Sequence, residues 1–230
     1  MDKNEIIVGI DFDNTIVCYD SVFYDCALEK GVIPSTVSKT KNGVQDYLRQ
    51  CGKENVWTEL QGYVYGPGIL NAKPFDGVLE FFKQCKNAGV KIYIISHKTK
   101  HPFIGEKHDL HFWALEWLRK NYFLDTEHNV VSQENIFLEL TKEEKIARIK
   151  QLHCTHFIDD LPEIFDHLQF PRETHKILFD PQQKDDANDY IGLKSWGDIG
   201  TIITAHNFLT KKGIQCNSIK RISGGKNNQS

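Results

Sequence analysis

Short β-branched runs alternate with amphipathic stretches along most of this chain. Ile6 to Ile10 reads Ile-Ile-Val-Gly-Ile, the pattern of a strand buried on both faces in a parallel sheet. It ends in the polar group Asp11-Phe12-Asp13-Asn14-Thr15. A second buried strand, Lys91 to Ile95, runs into Ser96-His97-Lys98-Thr99. A third, Thr155 to Ile158, stops at Asp159-Asp160. Between and after them the spacing of apolar residues predicts helices over 75–88, 109–121, 142–152, around 162–168 and over 198–209. Pro74 suits the opening of the first helix and Gly89 its end. Thr141, with Glu144 three residues on, suits a capping box. Trp113 and Trp117, at i and i+4, read as one buried helix face. Further strands are expected at 175–179 and, briefly, at Val130-Val131. Strand, helix, strand in this order predicts an α/β fold, a doubly wound parallel sheet with right-handed crossovers.

Residues 18–72 break the pattern. Helix-like stretches around 20–30 and 43–51 carry mixed polarity, and 61–68 reads as a loop or short hairpin. This region is expected to be a small helical cap insertion. The core would then comprise 1–17 and 73–209, with 210–230 a polar tail or linker.

Composition narrows the class. The chain has 230 residues, enough for one large domain carrying a small insertion. Its hydrophobic share of 40% allows a sizeable core. A net charge of −3 and the lack of any long basic run argue against nucleic acid or an anionic membrane as partner. The six cysteines, at 18, 26, 51, 85, 154 and 216, form no C-x-x-C pair and read as free thiols in a reducing compartment. The first apolar run is too short for a signal peptide or a membrane span. A cytoplasmic location is the expectation.

In parallel α/β sheets ligands bind at the carboxyl ends of the strands. That rule alone brings Asp11, Asp13, Ser96, Asp159 and Asp160 to one edge. Asp11 and Asp13, at i and i+2, point the same way if strand geometry persists, with Phe12 opposite. Carboxylates so close repel and favour a shared proton or a bound cation. A site of hard oxygen ligands suits magnesium (Mg2+).

These residues resemble the motifs of the haloacid dehalogenase (HAD) superfamily. Asp11-Phe12-Asp13-Asn14-Thr15 is similar to its first motif, D-x-D-x-T, and Ser96 to its second. A lysine ahead of the third strand is its third element, and Asp159-Asp160 resembles its fourth. The resemblance spans about 1–17 and 73–180, a HAD-like Rossmannoid core, with the insertion where the family places its first type of cap. It implies a phosphatase in which Asp11 takes the phosphoryl group as an aspartyl-phosphate and Asp13 serves as acid and base. Ser96 and a lysine would bind the transferring oxygens. Lys145, 14 residues before Asp159, is preferred for that lysine, with Lys142 and Lys150 as alternatives. Magnesium would be held by Asp11, the Asp13 carbonyl, Asp159 and Asp160. The second Asp of the first motif disfavours dehalogenation. A phosphomutase or phosphotransferase, or a domain that binds a phosphorylated ligand without turnover, are the rival expectations.

His97 and Lys98 are candidates for substrate binding, as are Tyr19, Tyr63 and Tyr65 of the insertion, although such aromatics equally build a small core. His101, His108 and His111 show no convincing zinc spacing. The expected partner is a small phosphorylated metabolite. The stretch Ile219 to Ser230 resembles the opening strand and glycine turn of aminoglycoside-phosphotransferase and choline-kinase-like domains, which implies a covalently linked kinase domain in a longer chain.

Overall fold

A computed structural model describes residues 5–124, 130–182 and 189–212. The chain opens with β1 (Ile7–Ile10), turns at Asn14 in left-handed geometry (φ 58°) and forms the two-residue β2 (Val17–Cys18). Three helices follow: α1 (Asp20–Glu29), α2 (Lys41–Gln50) and α3 (Glu54–Tyr65). After a 3-10 turn over Pro67–Asn71, β3 (Lys73–Pro74) pairs antiparallel with β2, so the ribbon β2–β3 carries the chain out to these helices and back.

The alternating core then runs α4 (Val78–Ala88), β4 (Lys91–His97), α5 (Leu110–Lys120), β5 (Ile136–Glu139), α6 (Lys142–Gln151), β6 (His156–Asp159), α7 (Pro162–Phe165), β7 (His175–Phe179), β8 (Ile191–Leu193) and α8 (Trp196–Lys211). Six strands form one parallel sheet in the order β5-β4-β1-β6-β7-β8. The period of two along each strand sends alternate residues to opposite faces. Val8, Ile10, Ile92, Ile94, Ile158 and Ile177 pack under α4, α5 and α8. Ile7, Tyr93, Ile95, Phe157 and Leu178 pack against α6 and α7. The sheet is thus doubly wound. Its order reverses at β1, between β4 and β6, and a crevice opens at such a reversal.

Local chemistry accounts for the element ends. Thr141 accepts from Glu144 N at 3.1 Å while the Glu144 carboxylate accepts from Thr141 N, completing the expected capping box. Asp109 and Ser195 cap α5 and α8. Gly9 has no side chain because a Cβ there would lie 2.6 Å from the Phe157 ring.

Several elements differ from the sequence pattern. Pro74 lies in β3, and α4 begins only at Val78, after Gly77 turns the chain at φ 84°. Residues 61–65 belong to α3 rather than to a loop: Trp57, Leu60 and Val64 bury one helical face, and Gly62 sits in it because Pro102 packs close by. Val130 and Val131 are buried but form no strand; the neighbour of β4 is β5. β5 is only half-buried along its length and β8 has three residues, so neither shows a strong apolar run. α7 closes at Phe165, short of the expected 168.

Candidate active site

The carboxyl ends of β1, β4 and β6 meet at the reversal of strand order. Asp11, directly after β1, is 5% exposed, and its Oδ1 accepts from Ser96 Oγ at 2.9 Å and from Lys145 Nζ at 2.7 Å. Lys145, from α6, also donates to Asp159 Oδ2 at 2.6 Å. Its burial opposes a charge, but the Asp11 and Asp159 carboxylates outweigh that and hold the ammonium above its usual range. Lys142, three residues earlier, turns outward to Glu163 at 2.8 Å. The same-face spacing of the two lysines is therefore resolved by packing: only Lys145 enters the core.

Asp159 is fully buried and its second oxygen accepts from Leu161 N at 3.0 Å. Burial pushes its carboxyl up to about 7, against the pull of Lys145. Asp160 is raised well above its ordinary value by burial and then by Asp159 and Asp11. Ligand atoms of Asp11, Asp159 and Asp160 lie within 4.8 Å of one another. Ionised together, the three carboxylates would outnumber the two ammonium groups that act on them, Lys145 and Lys41. A hard divalent cation would relieve that excess, and the all-oxygen donor set fits one.

Asp13 points elsewhere. Its carboxylate accepts from Lys98 Nζ at 2.9 and 2.7 Å and from Tyr19 Oη at 2.5 Å. Lys98 is 4% exposed, its ammonium lying over the rings of Tyr65 at 4.9 Å and Phe12 at 5.6 Å. Phe12 faces away from the carboxylates' edge, buried against Trp117. Trp117 donates to Ala72 O at 2.9 Å, whereas Trp113 is only partly buried.

The helices between β2 and β3 supply the rest of the wall. Tyr19 precedes α1, Lys41 opens α2 and Tyr65 closes α3. Tyr19 and Tyr65 meet edge to face at 5.0 Å. Lys41 is hydrogen-bonded to Tyr65. Burial opposes its charge, yet Tyr65, Asp160 and Asp13 raise its pKa. Tyr63 does not join this group. It lies two residues from Tyr65 on α3, hence about 200° around the helix, is 40% exposed and stacks near Lys30. Of the three tyrosines expected from the sequence to line a substrate pocket, Tyr19 and Tyr65 thus stand together beside Asp13 and Lys98, and Tyr63 stands apart from them. His97 reaches backbone at Leu140, and its pKa is lowered by burial and then by Lys145 and Lys142. His101 and His111 are held by the carbonyls of His108 and Lys98. The sequence carried one clue to Lys41: Thr40, three residues before Gly43, marks a helix start at residue 41.

No known family profile and no curated protein matches the sequence. Solved structures do. A haloacid dehalogenase-like hydrolase from Streptococcus pneumoniae aligns at TM-score 0.56 and 14% identity, over 86% of this chain and 98% of that one. A HAD family hydrolase from Deinococcus radiodurans, solved with phosphate and sodium, aligns at TM-score 0.53 and 13% identity, over 89% and 97%. A dehalogenase aligns at 0.52 and 12%, over 88% and 98%. The fold is HAD-like: a Rossmannoid α/β core of the kind these hydrolases share. The kinase-like stretch at 219–230 lies outside the described residues.

Proposed function

We propose that this protein is a phosphatase, hydrolysing a phosphate monoester of a small metabolite through an aspartyl-phosphate at Asp11. The observation that carries the reading is Asp11 itself. One carboxylate oxygen is held by Ser96 and Lys145, in a cluster with Asp159 and Asp160. A bound magnesium would supply charge neutralisation for the phosphoryl oxygens, and Asp11, Asp159 and Asp160 would hold it with the Asp13 carbonyl.

In the first step a carboxylate oxygen of Asp11 forms a bond to phosphorus and the ester oxygen leaves with its electron pair. Asp13 gives that oxygen a proton. In the second step Asp13 takes a proton from water as the water oxygen bonds to phosphorus, and inorganic phosphate leaves Asp11. Lys145 and Ser96 bind the phosphoryl oxygens where charge gathers. Tyr19, Lys41, Tyr65 and Lys98 would face the leaving group, so the helices between β2 and β3 act as the cap over the core. Asp13 also argues for a phosphatase over the dehalogenase that shares the fold, since dehalogenation has no leaving oxygen to protonate.

The test is phosphate release from a panel of small monoesters, with magnesium and with chelator, for the native chain and Asp11→Asn. Halide release from 2-haloacids is measured beside it. Magnesium-dependent phosphate release that disappears in Asp11→Asn supports the reading. Halide release without phosphate release refutes it. Transfer of phosphate to an organic acceptor, with little inorganic phosphate, would make the protein a mutase or phosphotransferase instead.

A further inference from the structure

A second cluster of ligating side chains lies at the opposite end of the sheet. His156 and His175 are the first residues of β6 and β7 and are paired in register. His206 reaches them from α8, with ring centroids 4.8 Å from His156 and 5.2 Å from His175. Asp159 is three residues further along β6, about 10 Å away at the rise of a strand. This cluster is therefore separate from the carboxylate site.

The hydrogen bonds around it leave a nitrogen unused. Thr155 Oγ1 accepts from Ile7 N at 3.0 Å and lies 2.9 Å from both Ile7 O and His156 Nδ1. A carbonyl cannot donate, so the single hydroxyl proton goes to Ile7 O. His156 Nδ1 then carries the proton given to Thr155, and its Nε2 is left with a bare lone pair. That nitrogen lies 2.5 Å from His206 Nδ1. If Nδ1–H of His206 donates there, Nε2 of His206 is bare as well. It is buried, and among the described residues it has no partner. His156 and His206 are 1% and 3% exposed, while His175 is open to solvent.

We propose that His156, His175 and His206 form a second metal site, for a divalent transition-metal ion of the zinc class, which ties α8 to the amino ends of β6 and β7. The ligand nitrogens already lie within 4.8 Å of one another. Two nitrogens on a tetrahedral zinc stand about 3.3 Å apart, given bonds of about 2.0–2.1 Å, a spacing that falls between the 2.5 Å separating His156 Nε2 from His206 Nδ1 and the 4.8 Å that bounds the cluster, so the rings would have to adjust to take the ion. The Thr155 contact is the outer hydrogen bond that fixes the tautomer of a ligating imidazole. Imidazole nitrogens select zinc over magnesium, so the two ends of the sheet would sort the two metals. Water takes the fourth position on the His175 side. The site acts as a cross-link between strands and the last described helix.

The test is zinc retention by the full chain after gel filtration in excess magnesium, with melting temperature and the visible spectrum of a Co2+ substituted sample. The variants are His175→Ala, which removes an exposed ligand with little effect on folding, His206→Ala, and Asp159→Asn as a control at the other site. The expected result is one zinc per chain and a rise of about 5–10 °C in Tm at a hundredfold excess over Kd. Co2+ should give tetrahedral d–d bands. Affinity should fall at least tenfold in His175→Ala and His206→Ala and stay unchanged in Asp159→Asn. Zinc bound with equal affinity by His175→Ala, affinity lost instead with Asp159→Asn, or no retention in the native chain would each overturn the proposal. None of these outcomes depends on phosphatase activity.

Discussion

Replacing Lys145 by Met keeps most of the side-chain volume and removes one charge from between two buried carboxylates. Nζ lies 2.7 Å from Asp11 and 2.6 Å from Asp159, and the residue is 1% exposed. Breaking such a buried pair from one side costs about 3–5 kcal/mol, because the partners stay buried and uncompensated. Asp159, already raised to about 7 beside Lys145, would rise further without the ammonium and can take up a proton at neutrality. The lower end, about 3 kcal/mol, is therefore expected, a Tm drop of about 6–12 °C for a domain of this size. Urea unfolding in chelator measures it. Magnesium should restore part of the loss, since a cation can replace the lost charge. Turnover should fall about 100-fold or more at saturating magnesium, the effect of losing a cationic donor at the transferring oxygens. Adding Asp159→Asn to the variant should recover stability without recovering turnover. Lys142→Met, which removes only the exposed pair with Glu163, should cost about 0–1 kcal/mol and leave the rate unchanged. If Lys145→Met stays within about 1 kcal/mol of the native chain, or Lys142→Met does equal damage to turnover, the assignment of Lys145 fails.

Other consequences are open to measurement. Lys98→Met removes both contacts to Asp13 and should lower kcat/KM by about 10–100-fold, in keeping with hydrogen bonds to a charged group; an unchanged value would show that Asp13 does not depend on it. Asp159 is raised to about 7, so its protonation favours the metal-free fold at low pH, and this contribution fades as pH rises through 7. Magnesium needs the ionised form, so the Tm gain it brings should grow from pH 5 to 7 and then level off; a flat profile would contradict this. Burial, and then His175, lowers His206 to about 4. In chelator its contribution to stability is present above the unfolded value of about 6.5 and is lost as pH falls toward 4. His206→Asn should flatten that part of the stability–pH curve, and an unaltered curve would show that the ring titrates normally. Gly9→Ala should destabilise by about 1–3 kcal/mol, since its Cβ would meet Phe157 at 2.6 Å; a neutral result in urea unfolding would show that β1 and β6 can separate.

Much of the architecture was legible in local pattern. Runs such as Ile6 to Ile10 and Ile92 to Ile95 must be buried on both faces, and polar residues break them at one end. Sheet topology then forces those ends together, which is why Asp11, Asp13, Ser96, Asp159 and Asp160 can be collected from the sequence. The capping box at Thr141 and Glu144 was legible for the same reason: its partners are three residues apart. Elements stabilised mainly from outside were not. β5 is half-buried and β8 has three residues, so their neighbours in the sheet define them more than their own composition. α3 hid behind Gly62, whose place is set by the approach of Pro102.

Choices among near neighbours in sequence belonged to the tertiary structure. Lys142 and Lys145 share a helix face, and only the seating of α6 over β4 and β5 sends one inward, to the ends of β1 and β6, and the other to Glu163. Tyr63 and Tyr65 are two residues apart on a helix, so rotation about its axis puts Tyr65 on Lys98 and Tyr63 in solvent. Lys41 and the His156–His175–His206 cluster join residues from separate elements, and no spacing along the chain records such a meeting. The sequence by itself determined which groups stand at the strand ends, because burial and alternation are local rules. Which of them touch was decided by how helices and strands pack, since that contact rests on distances between segments far apart in the chain.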